Sequence, residues 1–154
     1  MGLVKSAAFA MVTIVMVTLA GCLDSVQVDP AIMWEGVLVQ QTESLLFVEG
    51  QAAMVANVAD THVGVGLTSV VAEVGDLPDS LNWWLRSGRC GGSGTPLVEP
   101  DLFPTVDLQE GQGGSAEWVL QSRLSPRGTY AVEVWSGDSG QSEVLACADM
   151  ERRG

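Results

Sequence analysis

Beyond its first thirty residues, the chain places its apolar side chains in short runs divided by glycine, proline, serine and aspartate. Residues 130–135 (YAVEVW) alternate most cleanly, with Tyr130, Val132 and Val134 facing one way, as a strand buried on one face requires. Residues 81–86 (LNWWLR) and 116–120 (AEWVL) read as strands too, the latter with Trp118 and Leu120 on one side. Residues 62–74 (HVGVGLTSVVAEV) put Val63, Val65 and Leu67 on one side, and Gly64 and Gly66 suggest a bulge or a close backbone approach. Residues 32–40 (IMWEGVLVQ) form a first strand. A second, over 45–48, is expected to stop at Glu49-Gly50, and 144–147 form the last strand. Residues 51–58 are ambiguous: their alanines favour a helix and their neighbours a strand.

The intervening segments carry turn chemistry. Residues 75–79 (GDLPD), 110–115 (EGQGGS), 125–128 (SPRG) and 136–142 read as turns, and 88–95 (GRCGGSGT) as a loop. Pro100 and Pro104 break residues 96–107 into irregular or edge structure. Short strands with such punctuation, and no long 3.6-residue period, predict an all-β Greek-key sandwich. Tyr130, entering its strand just after a Pro/Gly turn, resembles the tyrosine corner of such sandwiches.

The N-terminus follows a different pattern. Lys5 precedes an apolar run of thirteen residues, Ala7 to Leu19, without a charge. That is the length of a signal-peptide core and short for a spanning helix, which takes about 20 residues. The run ends in Leu19-Ala20-Gly21-Cys22, which resembles the lipobox of bacterial lipoproteins. The resemblance implies cleavage before Cys22, a diacylglyceryl group on its thiol and a second acylation on the new α-amine. One acyl chain holds a protein only marginally, at about 0.8 kcal/mol per buried CH₂, whereas two or three anchor it durably. An uncleaved helix or an ordinary cleaved signal are the alternatives. Leu23 in place of an aspartate leans towards the outer membrane, and Asp24 weakens that inference. The expected organisation is a signal peptide over 1–21, a lipidated tether over 22–30, the sandwich over 31–150 and a tail over 151–154.

Charge narrows the partners. Without residues 1–21 the chain has six arginines and no lysine against nineteen acids, a net charge of −13. Such a surface repels nucleic acid and anionic lipid heads, and the acids are scattered rather than blocked. With Cys22 taken by lipid, Cys90 and Cys147 remain as an even pair in an oxidising compartment, which reads as one disulfide; two free thiols are the alternative.

Three pieces of the C-terminal half carry a further resemblance: residues 83–90 (WWLRSGRC), 128–135 (GTYAVEVW) and 146–149 (ACAD). Together they resemble the small secreted sandwiches related to Cu/Zn superoxide dismutase and to chordin-type (CHRD) domains, an immunoglobulin-like or dismutase-like fold. The resemblance implies that Cys90 pairs with Cys147, one in a loop and one in the last strand. It also implies histidines where this chain has Trp84, Arg86 and Trp135. Copper redox chemistry needs several imidazoles, and this chain has one histidine, His62. A catalytic zinc needs three protein ligands. We therefore expect no dismutase activity, no metal and no cofactor, and read His62 as a surface residue at a strand end.

Other chemistry is weaker. Gly137-Asp138-Ser139-Gly140 matches the nucleophile motif of chymotrypsin-like proteases, and His62, then Asp101 or Asp107, then Ser139 follow their chain order. A triad is established by geometry, the context around His62 and Ser139 is wrong, and the chain is too short for two six-stranded barrels. Gly91-Gly92-Ser93-Gly94 lacks the lysine and helix of a phosphate loop. Glu99 and Asp101 lack the ligand density of a calcium site. The remaining candidate is Trp84, Arg86 and Trp135 as an exposed aromatic-cationic patch that stacks on sugars or anchors a partner protein. The alternative is that loop 91–110 covers that face and both tryptophans are core. The expected function is a non-catalytic, membrane-anchored envelope lipoprotein acting as a binding or structural module, without nucleic acid. A degenerate dismutase-like metal-binding protein and a protease-inhibitor-type sandwich are the alternatives.

Overall fold

Ten strands in two five-stranded antiparallel sheets make up the computed structural model, which describes residues 29–41, 44–109, 113–137 and 143–154. The strands are β1 (Ile32–Val37), β2 (Val39–Gln40), β3 (Leu46–Ala56), β4 (Thr61–Ala72), β5 (Ser80–Ser87), β6 (Val106–Asp107), β7 (Gly114–Leu120), β8 (Tyr130–Ser136), β9 (Glu143–Asp149) and β10 (Glu151–Arg153). One sheet runs β10-β1-β3-β4-β7 and the other β2-β9-β8-β5-β6, so the chain is an all-β sandwich. β5 pairs with β6, β6 lies beside β7 where the sheets meet, and β8 returns to the far side of β5, which is a Greek-key path. The lipobox residues 19–22 and the Ser139 motif lie outside the described residues.

Period-two burial builds the core. Trp34, Met54, Val63 and Val65 enter from one sheet, and Leu81, Trp83, Leu85, Val132 and Val134 from the other. Each such side chain contributes roughly 1.5–3 kcal/mol on burial. The proline-broken segment closes the side of this core. It forms one 3-10 turn, Pro100–Leu102, then buries Phe103 against Trp83 at a centroid distance of 5.0 Å. Trp83 Nε1 donates to the Pro104 carbonyl (2.7 Å), so the indole's polar edge is satisfied inside the core.

Four local readings change. Residues 51–56 are strand, because β1 on one side and β4 on the other offer ladder partners that outweigh alanine's helix preference. Glu49-Gly50 does not stop β3: the pairing register slips there, and the strand continues through a bulge. Gly50 is required, since a Cβ would stand 2.2 Å from the Gly66 carbonyl oxygen. The first strand divides at buried Leu38, where the chain passes from one sheet to the other as β1 and β2. Residues 151–153 are no tail, because they pair with β1 as β10 and satisfy its otherwise open edge. At the N-terminal side, Arg123 donates to Asp29 Oδ2 (2.9 Å) and to the Pro30 carbonyl (3.2 Å), holding the last tether residues against the domain.

The tyrosine corner is formed. Tyr130 Oη donates to the Ser125 carbonyl (3.1 Å), and Gly128 leaves room for the ring, since a Cβ there would stand 2.0 Å from Oη. Burial pushes the Tyr130 phenol above its ordinary pKa, opposed in part by this hydrogen bond. Tyr130→Phe deletes the bond and keeps the ring. It is expected to cost about 1 kcal/mol, read as a lower urea midpoint at unchanged slope. An unchanged midpoint would show that the corner contributes nothing net.

Candidate functional site

Because successive strand residues face opposite ways, β5 sends Leu81, Trp83 and Leu85 into the core and Asn82, Trp84 and Arg86 to the outer side of its sheet. β8 likewise sends Val132 and Val134 inward and Glu133 and Trp135 outward. The register aligns these outward residues. Trp84 stands opposite Glu133, Glu133 opposite Cys147, and Asn82 opposite Trp135. A row of two indoles, a guanidinium, a carboxylate and a sulfur thus collects on one sheet face.

This face is covered. The loop 88–94 folds across it, tied by the Cys90–Cys147 disulfide (Cα–Cα 5.8 Å) and by the Cys90 N–H donating to Asp149 Oδ1 (2.8 Å). Beneath the loop Arg86 works as a fork. Nη1 donates to Glu133 Oε1, while Nη2 donates to the carbonyls of Gly92 (2.6 Å) and Gly94 (2.8 Å). Glu133 Oε2 accepts from Trp84 Nε1 (3.2 Å), and the Trp84 and Trp135 rings pack with centroids 4.2 Å apart at 31°. Both carboxylate oxygens and both terminal guanidinium nitrogens have partners. A buried ion pair offsets the desolvation of its charges only with such added hydrogen bonds, and in this pair Arg86 Nε alone goes without one among the described residues.

The three patch residues are therefore adjacent but not an exposed patch. Trp84 retains 7% of its surface, Arg86 9% and Glu133 3%. Only Trp135 is half-buried, and its Nε1, like Arg86 Nε, is buried with no partner among the described residues. The disulfide and the carbonyls of Gly92 and Gly94 hold the loop that shields Arg86, and Trp84 packs against Trp135. What this arrangement does chemically is fix a loop, since the bonded atoms of Arg86 and Glu133 are spent on one another, on Trp84 Nε1 and on the carbonyls of Gly92 and Gly94.

Glu133 escaped the sequence reading. An acid amid YAVEVW reads as a solvent-facing residue of a half-buried strand. The usable signal was one base in LNWWLR and one acid in YAVEVW, single opposite charges in two strands rich in aromatic side chains. His62 sits on the outer face of the other sheet, half-exposed, with Nε2 3.6 Å from Asp60 Oδ1. Asp101 lies in the 3-10 turn and Asp107 in β6. Among the described residues, no group of three or more His, Cys, Asp or Glu is placed to hold a metal. Beside the disulfide runs a groove of about 600 Å³, lined by Val37, Val39, Gln51, Cys147 and Asp149 among others. Comparison with known proteins finds no matching family model, no similar curated protein and no similar solved structure.

Proposed function

We propose that the chain is a membrane-anchored envelope lipoprotein whose sandwich is a non-catalytic binding or structural module. The observation that carries this reading is the Leu19-Ala20-Gly21-Cys22 motif behind a short uncharged apolar run, seven positions ahead of Asp29, where the described domain begins. The disulfide supports it, since such bonds persist in oxidising compartments outside the cytoplasm. The buried cluster supports the non-catalytic part: of Trp84, Arg86 and Trp135, where the dismutase-like resemblance implies imidazoles, the first two are bound to Glu133 and Trp84 packs on Trp135. Cys22→Ser removes the acyl acceptor. The variant is expected to leave the membrane fraction or to accumulate as unprocessed precursor, while wild-type protein carries diacylglyceryl and acyl mass on its N-terminal peptide. A wild-type N-terminus without lipid mass, or a C22S protein processed and membrane-bound as before, would overturn the anchoring.

A further inference from the structure

The net charge, −13 once residues 1–21 are set aside, hides a polarity along the strands. One end of the sandwich is where β3 and β7 finish, β4 and β8 begin and β5 finishes. Arg89, Arg123 and Arg127 lie in the loops of that end, and Arg152 and Arg153 close by on β10. Every arginine of the chain but the buried Arg86 is thus at one end. The opposite end carries Glu73, Asp76, Asp79, Asp107 and Glu143 and, among the described residues, no lysine or arginine.

Two of the five arginines are paired, Arg123 with Asp29 and Arg153 with Glu35. Arg89, Arg127 and Arg152 are exposed and have no ion pair among the described residues. Arg89 and Arg152 line one cleft of about 280 Å³ together with Pro126, Gly128 and Thr129 of the turn that bears Arg127. Two acids, Asp149 and Glu151, line the same cleft, and the acids of this end differ in how far they are engaged or turned away. Asp149 accepts the Cys90 N–H, Asp60 stands beside His62, and Glu151 faces the Glu35 side of β10 while Arg152 faces the Trp34 side.

The chain enters the domain at this same end. Asp29 is held there by Arg123, and seven residues from Cys22 span at most about 25 Å at roughly 3.5 Å each. The twelve residues of β4 span about 40 Å, several times the Debye length of about 8 Å at physiological salt, so headgroups beside one end do not sense the acids of the other. We infer that the arginine end is a docking face for anionic phospholipid headgroups, with Arg89, Arg127 and Arg152 as its contacts, so that the sandwich stands on the bilayer with its acidic end outward. The inference rests on the lipid anchor proposed above.

The test uses full-length acylated protein on vesicles rich in phosphatidylglycerol and, separately, on phosphatidylcholine vesicles. Amide hydrogen exchange is followed at residues 121–129 and 73–79. Exchange at 121–129 is expected to slow about tenfold on the anionic vesicles alone, the scale of attraction that basic residues have near an anionic surface. High salt and the R89Q/R127Q/R152Q variant are expected to abolish the slowing, and R89K/R127K/R152K to keep it. Acylated, vesicle-bound protein that exchanges alike at both ends, or is protected at 73–79 instead, overturns the docking face and leaves the anchor standing. Protein without acyl mass that floats free of both vesicles overturns the anchor itself.

Discussion

Glu133→Ala is expected to destabilise the fold by about 3–5 kcal/mol, the range for stranding one member of a buried ion pair. Arg86 would keep the Gly92 and Gly94 carbonyls but lose the carboxylate paired with it among the described residues, and Trp84 Nε1 would lose its acceptor. Domains of this size are stable by only about 5–15 kcal/mol, so the variant stands near the threshold of folding. Two charges out of water are costly even when paired. Replacing both partners by apolar residues of similar volume, Arg86→Met with Glu133→Leu, is therefore expected to cost far less than Glu133→Ala alone. Urea midpoints of the singles and the double close a cycle whose coupling term isolates the pair. A Glu133→Ala protein with the wild-type midpoint would mean that water reaches the guanidinium and that no lock exists.

The parts of this fold that were legible beforehand are those whose information is local. Tyr130, Val132 and Val134 alternate in sequence and are buried in alternation, and the Ser-Pro-Arg-Gly turn before them carries its own geometry. The Cys90–Cys147 pair was legible by parity, and its bond closes in the structure. What stayed hidden depends on partners far along the chain. Residues 51–56 are strand only because β1 and β4 flank them, and 151–153 only because β1 has an open edge. The same holds for the site. Trp84 and Arg86 face outward from their own sheet, as period two requires, yet Trp135 packs on the first and a loop of the same chain is bound to the second. No feature of LNWWLR announces a lid that begins after Ser87 and is tied to a cysteine in β9. The arginine end is hidden in the same way, since Arg89, Arg152 and the turn that bears Arg127 come to one cleft only through the Greek-key path.

Removing the disulfide in a Cys90→Ala/Cys147→Ala protein is expected to cost about 4 kcal/mol, from the chain entropy released by a crosslink spanning 57 residues. The double variant is preferable to a single one, which leaves a thiol free to form intermolecular bonds. Reductant should lower the wild-type urea midpoint towards that of the variant and leave the variant unmoved. The loss will not be independent of Glu133. The bond ties down the loop whose Gly92 and Gly94 carbonyls hold Arg86, so once the loop is free, the guanidinium gains access to water and needs its carboxylate less. Glu133→Ala is then expected to cost less in the disulfide-free background than in wild type, by more than the few tenths of a kcal/mol that separate independent sites. Strictly additive costs would mean that the Arg86 fork holds the loop without help from the sulfurs, and that crosslink and ion pair stabilise separate parts of the sandwich.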